Sequence, residues 1–373
     1  MRRTEVVIIG AGILGLSLAY HLTKRGIPCI LLEREIAPAL HASGRGAGMI
    51  RHLYSHPQLT EWTRRSIEAW PTTLRDRCFR KTGSIIIDRA TPGHSQDLFF
   101  DTEISLTRPG GVCLLPAIYT ENDGVIDPHS FMKGLFEVID KRQFEAHFEE
   151  AVLRIAPGNG EVIVRTAKNI YSSTWVVNAA GAWVNNVLGK SAEISEMKVQ
   201  PFARHLFVVS GWPSGFMPGS PCDYYGDGFY WDETNGWYMR EWGESTRLVS
   251  ICDRVPADPN FFTGRPEVRL DVHRALSDNL PTDVYKRLQF EDFWYCFRTY
   301  TTDQLPIWGP DNDIPGLFWL AAFGGYGMST GFAAAEDAAR KIVGESVPVS
   351  PAFYPERSKK KNSPLRAANE LVS

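Results

Sequence analysis

The chain opens on short apolar runs separated by amphipathic stretches. Glu5 to Ile9 is a short β-branched run that stops on Gly10, which predicts a buried strand of a parallel sheet. From Ile13 to Arg25 the apolar residues Leu14, Leu18 and Leu22 recur at helical spacing. The cations Lys24 and Arg25 fall in the last turn and Gly26 ends it. Pro28 then leads into Cys29-Ile30-Leu31-Leu32, a second buried strand with Glu33 at its end, completing a β-α-β unit.

Beyond residue 80 the pattern changes. Ser84 to Ile87 and Leu206 to Val209 predict strands, while Gly211 to Asp258 is rich in Gly, Pro, Trp and Tyr and shows short strands without a helical period. Helical spacing returns between Leu270 and Leu288. Buried strands ending in small residues recur at Trp175 to Gly181 and Leu317 to Gly327, the second followed by a helix from Gly331 to Val343. The α/β part is therefore predicted to be discontinuous, with a β-rich part inserted. No internal repeat is visible.

Composition narrows the class. Charges of both signs are interspersed over 373 residues with a formal net charge of -3, which offers no electrostatic footprint for nucleic acid. The aromatic fraction of 12% would serve to wall in a planar ligand but equally to fill a core, and decides nothing. Cys29, Cys78, Cys113, Cys222, Cys252 and Cys296 are scattered without metal-ligand spacing, which reads as reduced thiols in a cytoplasmic protein; no metal is expected. Arg2-Arg3 before the apolar run to Tyr20 superficially resembles a signal peptide. Three glycines interrupt that run, and His21, Lys24 and Arg25 follow with no cleavage site, so it reads as folded protein. No stretch is long and apolar enough to span a bilayer.

The first turn carries the most specific signal. Gly10-Ala11-Gly12-Ile13-Leu14-Gly15 follows a strand, opens a helix and has an acid, Glu33, at the end of the next strand. That context identifies a dinucleotide loop: one glycine for the turn, one for approach of the pyrophosphate, one for helix-strand packing, and Glu33 for a ribose hydroxyl. Ser43-Gly44-Arg45-Gly46-Ala47-Gly48 comes just after the second strand, where a nicotinamide enzyme has no need of more glycine; a second backbone cradle suits the extended FAD molecule. Trp175 to Trp183 and Phe318 to Thr330 supply two further backbone surfaces of the kind that lies against a flavin. A helix start after Gly324-Gly325-Tyr326-Gly327 would stabilise the anion formed on flavin reduction. The fold class is thus α/β: an FAD-binding Rossmann-like domain of the glutathione-reductase type over 1–80, 145–200 and 300–345. A β-rich substrate domain occupies 81–144 and 201–299, and 346–373, with Lys359-Lys360-Lys361, forms a tail.

These motifs, with Glu33-Arg34, Gly124 to Pro128, Asn178 to Trp183 and Phe297-Arg298-Thr299, resemble the D-amino-acid oxidase superfamily of flavoproteins up to about Gly344. That superfamily includes glycine oxidase, sarcosine oxidase and D-amino-acid dehydrogenases; the overall likeness is to the D-arginine dehydrogenase type, whereas Ile50-Arg51-His52 with Tyr54 is more like sarcosine oxidase. The resemblance implies cofactor contacts from the residues already named and from Met49, Val152, Ala180, Gly181, Trp183, Met328 and Ser329. It implies that Arg298 grips a substrate carboxylate, with Tyr230 as second donor and Arg51 and Tyr54 as the opposite wall; Arg204 falls under the site and His52 reads as structural. It further implies a small amine whose α-hydrogen leaves as hydride to flavin N5, giving an imine that hydrolyses to an oxo acid. A quinone, another carrier or O2 accepts the electrons.

Three departures bear on this expectation. No lysine occurs between Lys198 and Lys286 to match the oxygen-activating lysine of sarcosine oxidases, although Arg240 can supply charge, which favours a dehydrogenase. Ser84 stands where the arginine dehydrogenase has an acid, and Met49 where it has a histidine, which argues against a strongly cationic substrate. Cys296 stands where sarcosine oxidases carry their covalent flavin link; non-covalent FAD is expected, with a link through Cys296 as the alternative. A 2-hydroxy acid is the alternative donor and a non-catalytic flavin-binding subunit the alternative of another class. Flavin hydroxylases, which share the first loop, would show Gly-Asp where this chain has Gly-Gly-Tyr-Gly.

Overall fold

The structure is a computed structural model describing residues 1–87, 100–108, 111–189, 194–213, 216, 228–243, 245–251 and 255–360, with side chains described outside 100–116. Cys222, Cys252, Lys361, the Cys113 side chain and much of Gly211 to Asp258 lie outside the described residues. Cys29, Cys78 and Cys296 are buried and form no disulfide.

The first strand, Arg2–Ile9, is the centre of a parallel sheet. It pairs with Cys29–Leu32 on one side and Ile170–Asn178 on the other. Phe144–His147 extends the sheet beyond Cys29–Leu32, and Leu317–Ala321 extends it beyond Ile170–Asn178. The unbroken apolar run has a direct cause: Val6 and Ile8 face a helical layer while Val7 and Ile9 face a second core under the antiparallel strands Val152–Pro157 and Val162–Thr166. The helical layer holds Ile13–Thr23, Pro57–Ala69 and Gly327–Ile342, whose buried residues share one core.

The inserted part is a second, nine-stranded sheet. Its long strands Val199–Ser210 and Gln289–Thr301 pair antiparallel over their whole length. Trp237–Gly243 lies between Phe229–Asp232 and Thr246–Ile251. The helical spacing at Leu270 to Leu288 resolves into Val268–Asn279 and Thr282–Tyr285, broken at Pro281, which cannot continue a helix. The helix expected from Gly331 begins earlier, at Gly327, because the glycine turn itself winds into its first turn.

One segment lies elsewhere than the sequence boundaries suggested. Helix Pro128–Val138, read with the substrate part at 81–144, packs Phe131, Met132 and Leu135 into the helical core of the cofactor part. Asp127 caps it by accepting from the Ser130 N–H at 3.1 Å. Its amphipathic face has no local signature that says which sheet it will cover.

Candidate active site

Two cavities meet at the C-terminal ends of the parallel strands. The larger has a volume of about 200 Å³ and begins at the first glycine turn. The Gly10 N–H donates to the Leu32 carbonyl at 2.8 Å. Its φ of +102° and the Ala179 carbonyl, 2.6 Å from where a β-carbon would stand, exclude any side chain. A β-carbon on Gly15 would run into the Gly10 carbonyl, so that glycine sets how closely helix Ile13–Thr23 approaches the strand. The helix starts with no side-chain cap and no acid in its first turn. Its positive end therefore faces the cleft bare apart from Ser43, whose hydroxyl accepts from the Ile13 N–H at 2.9 Å. Glu33 accepts from the Ala11 N–H at 2.7 Å and the Glu35 N–H at 2.9 Å, locking the glycine turn to the end of the second strand while still lining the cleft.

The rest of the cleft is also mostly main chain and small residues. Val152, Ala180, Gly181, Gly324 and Gly327 line it with Gly12, Ile13 and Leu14. Ala322 and Ala39, also in the lining, hold φ of 56° and 61°, a conformation that costs a residue bearing a β-carbon and marks where the backbone is held for a purpose. Arg34, His41 and Trp183 close one end: the Arg34 guanidinium lies 4.7 Å from the Trp183 ring centre and the His41 ring 4.4 Å from it. His41 and Ala39 were not marked in the sequence, because nothing local distinguishes them, whereas Ala322 falls within the marked segment Phe318 to Thr330.

The second cavity shares Ile13, Ala42, Ser43, Phe297, Gly324 and Gly327 with the first. Ala47, Gly48, Met49, Gly325 and Met328 line it from the cofactor part. Trp231, Cys296 and Arg298 come from the inserted sheet, and Arg51 and Tyr54 from the segment between. Arg298 donates to the Tyr238 hydroxyl at 3.3 Å. Gly325 gives it room, since a β-carbon there would stand 3.0 Å from Nη1. Tyr54 meets Tyr326 edge-on at 5.2 Å between ring centres; burial pushes the Tyr326 hydroxyl up to about 12, so it stays protonated at neutral pH. Gly44, Arg45 and Ser329 do not line either cavity: a β-carbon on Gly44 would run into the Ala39 carbonyl, and the Arg45 carbonyl accepts from the Trp294 indole at 2.9 Å. Those two contacts shape the cradle instead of facing it.

Tyr230 is not brought to the cavity. Its ring is fully buried on the opposite face of strand Phe229–Asp232, against Trp237 and in the core formed with Val272 and Leu276. The next residue, Trp231, takes the cavity face and lies across from Tyr238, ring centres 5.0 Å apart. Strand parity decides this: neighbouring side chains point to opposite faces, so a one-residue choice moves a hydroxyl out of the site. The tyrosine at Arg298 is Tyr238, from the adjacent strand, and only the register of the two strands could have singled it out.

The buried polar groups around the cavity position it. Asp123 accepts from the His52 N–H at 2.8 Å, lies 2.9 Å from His52 Nδ1 and accepts from Ser84 at 2.6 Å, fixing the segment that carries Arg51 and Tyr54. Ser84 is thus occupied away from the cavity. Arg204 is buried opposite Cys296, its guanidinium 5.9 Å from the Tyr238 ring centre. Burial lowers Arg240 to about 10, and it packs behind Gly48.

The large cleft fits FAD: a bare helix start for the pyrophosphate, an acid beside it, and a backbone-lined floor leading into a second cavity with an arginine at its wall. Residues 5–341 match the family described as FAD dependent oxidoreductase. Mitochondrial dimethylglycine dehydrogenase of Mus musculus is 26% identical over 87% of this chain, which spans 41% of that protein's length. Monomeric sarcosine oxidase of Bacillus sp. (strain B-0618) is 26% identical over 63% of this chain and 64% of its own. Among solved structures, glycine oxidase from Geobacillus kaustophilus superposes with a TM-score of 0.76 at 17% identity, covering 96% of this chain and 100% of that one, a likeness of fold. Among the described residues no helix is long and apolar enough to cross a membrane.

Proposed function

The chain belongs to the family of FAD dependent oxidoreductases, and we propose that it oxidises the C–N bond of a small carboxylate-bearing amine. The observation that carries this reading is Arg298: a guanidinium on the wall of a cavity continuous with the dinucleotide cleft, with the Tyr238 hydroxyl beside it. A guanidinium offers paired donors that match a carboxylate and stays charged when water is excluded. FAD, when bound, supplies the two-electron acceptor. The chain's own residues hold and aim the donor: Arg298, positioned by the Tyr238 hydroxyl, takes the carboxylate, Tyr54 and Trp231 wall the cavity, and the Gly324–Gly327 turn sets the distance to the cleft. Orientation and exclusion of water are then the protein's contribution to rate.

Anaerobic mixing of the yellow holoprotein with D- and L-amino acids, N-methylglycines and 2-hydroxy acids tests this, read as bleaching of the flavin band. Bleaching by an amine, lost in Arg298→Ala, is the expected result; bleaching only by hydroxy acids, or by nothing, would reject it. Admitting air to the reduced protein separates oxygen from another carrier as acceptor, and acid precipitation shows whether Cys296 holds the flavin covalently.

A further inference from the structure

We infer that the substrate of this site carries a second anionic group, so that the cavity takes an amine with two carboxylates. The inference rests on the proposed function and narrows its substrate class. Two guanidinium groups line one small cavity, Arg298 from the long strand Gln289–Thr301 and Arg51 from the segment after Met49–Ile50. The two flank a shared aromatic shelf. The Arg51 guanidinium carbon lies 4.3 Å from the Trp231 ring centre, Trp231 packs at a tilt against Tyr238 with ring centres 5.0 Å apart, and the Tyr238 hydroxyl accepts from Arg298.

Arg51 is held as a reader of carboxylates. Its guanidinium lies over the Trp231 ring and, at 5.0 Å, over the Tyr54 ring, and its N–H groups remain donors for a carboxylate. One of them is met by the Glu233 carboxylate at 2.8 Å. The two partners differ in place: the Arg51 side chain is 14% exposed, and that of Glu233 35%. A buried cation in the cavity wall is thus balanced from the solvent side by an acid at the rim, and no acid lies among the described residues of the cavity lining. Glu233 occupies the position of a ligand carboxylate. A substrate with one carboxylate neutralises Arg298 and leaves Arg51 with Glu233. One with two can displace Glu233, the more exposed partner, which returns to water, and gains a charge-assisted contact with a pre-positioned fork.

The test uses the FAD-loaded protein and two unreactive probes, succinate and propionate, titrated against the flavin absorbance band. Succinate should bind roughly 10- to 100-fold more tightly than propionate, the range expected of one contact to a charged group. Arg51→Gln should erase that preference, and Glu233→Gln, a rim change, should strengthen succinate binding. In anaerobic reduction, aspartate or glutamate of one hand should outpace asparagine or glutamine. Equal binding of the two probes, a preference that survives Arg51→Gln, or amides reducing as well as acids would overturn the inference. If Arg51→Gln does not retain flavin, an unchanged succinate affinity in Glu233→Gln overturns it instead. Reduction by amines without any dicarboxylate preference leaves the proposed function standing and removes this inference. A succinate preference with no reduction by any amine does the reverse.

Discussion

The dinucleotide cleft and the cavity beside it are made of different material. The start of the cleft is main chain: helix N–H groups, carbonyls and glycines whose missing β-carbons let backbone segments close on one another. The cavity is side chain: Arg51 and Tyr54, Trp231 and Arg298 project from three segments onto one space, with Tyr238 behind Arg298. A backbone site is specified locally, since a close approach such as Gly15 over Gly10 is written as a glycine at a fixed position. A side-chain site across a sheet is specified by parity and register between strands far apart in sequence. The same difference governs what substitutions do, because damage to the first is structural and damage to the second is chemical.

The largest expected effect follows from Gly15. Gly15→Val forces a side chain into the Gly10 carbonyl, which we expect to cost about 3 kcal/mol or more and to abolish flavin retention. A yellow, normally melting variant would show that the cleft tolerates what its geometry forbids. Arg298→Met comes next and should break the cavity alone, retaining flavin with an unchanged visible spectrum while its reduction by substrate falls roughly 100- to 1000-fold, the loss of a charged bidentate contact. Loss of flavin in that variant would erase the distinction between the two regions.

Smaller effects sharpen it. Tyr238→Phe should slow reduction about 5-fold through the lost hydroxyl beside Arg298, while Tyr230→Phe should leave the rate alone and act only on stability. The reverse ranking in stopped-flow traces would mean that the strand faces are assigned the wrong way round. On the cleft side, burial and then the neighbouring Arg25 and Lys24 push the His21 imidazole down to about 3. The unfolded imidazole titrates near about 6.5, so below that pH the unfolded chain binds a proton that the folded chain refuses, and stability falls as pH drops toward 3. His21→Leu should therefore flatten the fall of the melting midpoint between pH 7 and about 4, with no effect at neutrality. Parallel curves for the two proteins would rule this out.

Legibility followed the same line. The β-α-β unit and the tight turn at Gly10 were readable because each is a short segment whose constraint is its own backbone. The discontinuous α/β sheet was readable from apolar runs buried on both faces. Helix Pro128–Val138 was placed with the wrong neighbours, since an apolar stripe does not name the core that covers it. Tyr238 and Trp231 were missed in favour of Tyr230 because alternation along Phe229–Asp232 fits either phase equally, and only pairing with Trp237–Gly243 and the core behind it selects one. Ala39 and Ala322 carry unfavourable backbone angles that an alanine does not advertise.

The central sheet has a consequence for how the molecule is made. Arg2–Ile9 emerges well before its partner Ile170–Asn178 and the next strand, Leu317–Ala321, which are distant from it in sequence. Contacts of such separation carry a large loop-closure cost and form slowly. During synthesis the glycine turn is therefore exposed and floorless until Ala179 arrives, and the cleft stays open on its far side until Ala322 to Gly327 has left the ribosome. Cofactor capture should thus wait until Ala322 to Gly327 has emerged, and flavin binding then stabilises the folded state.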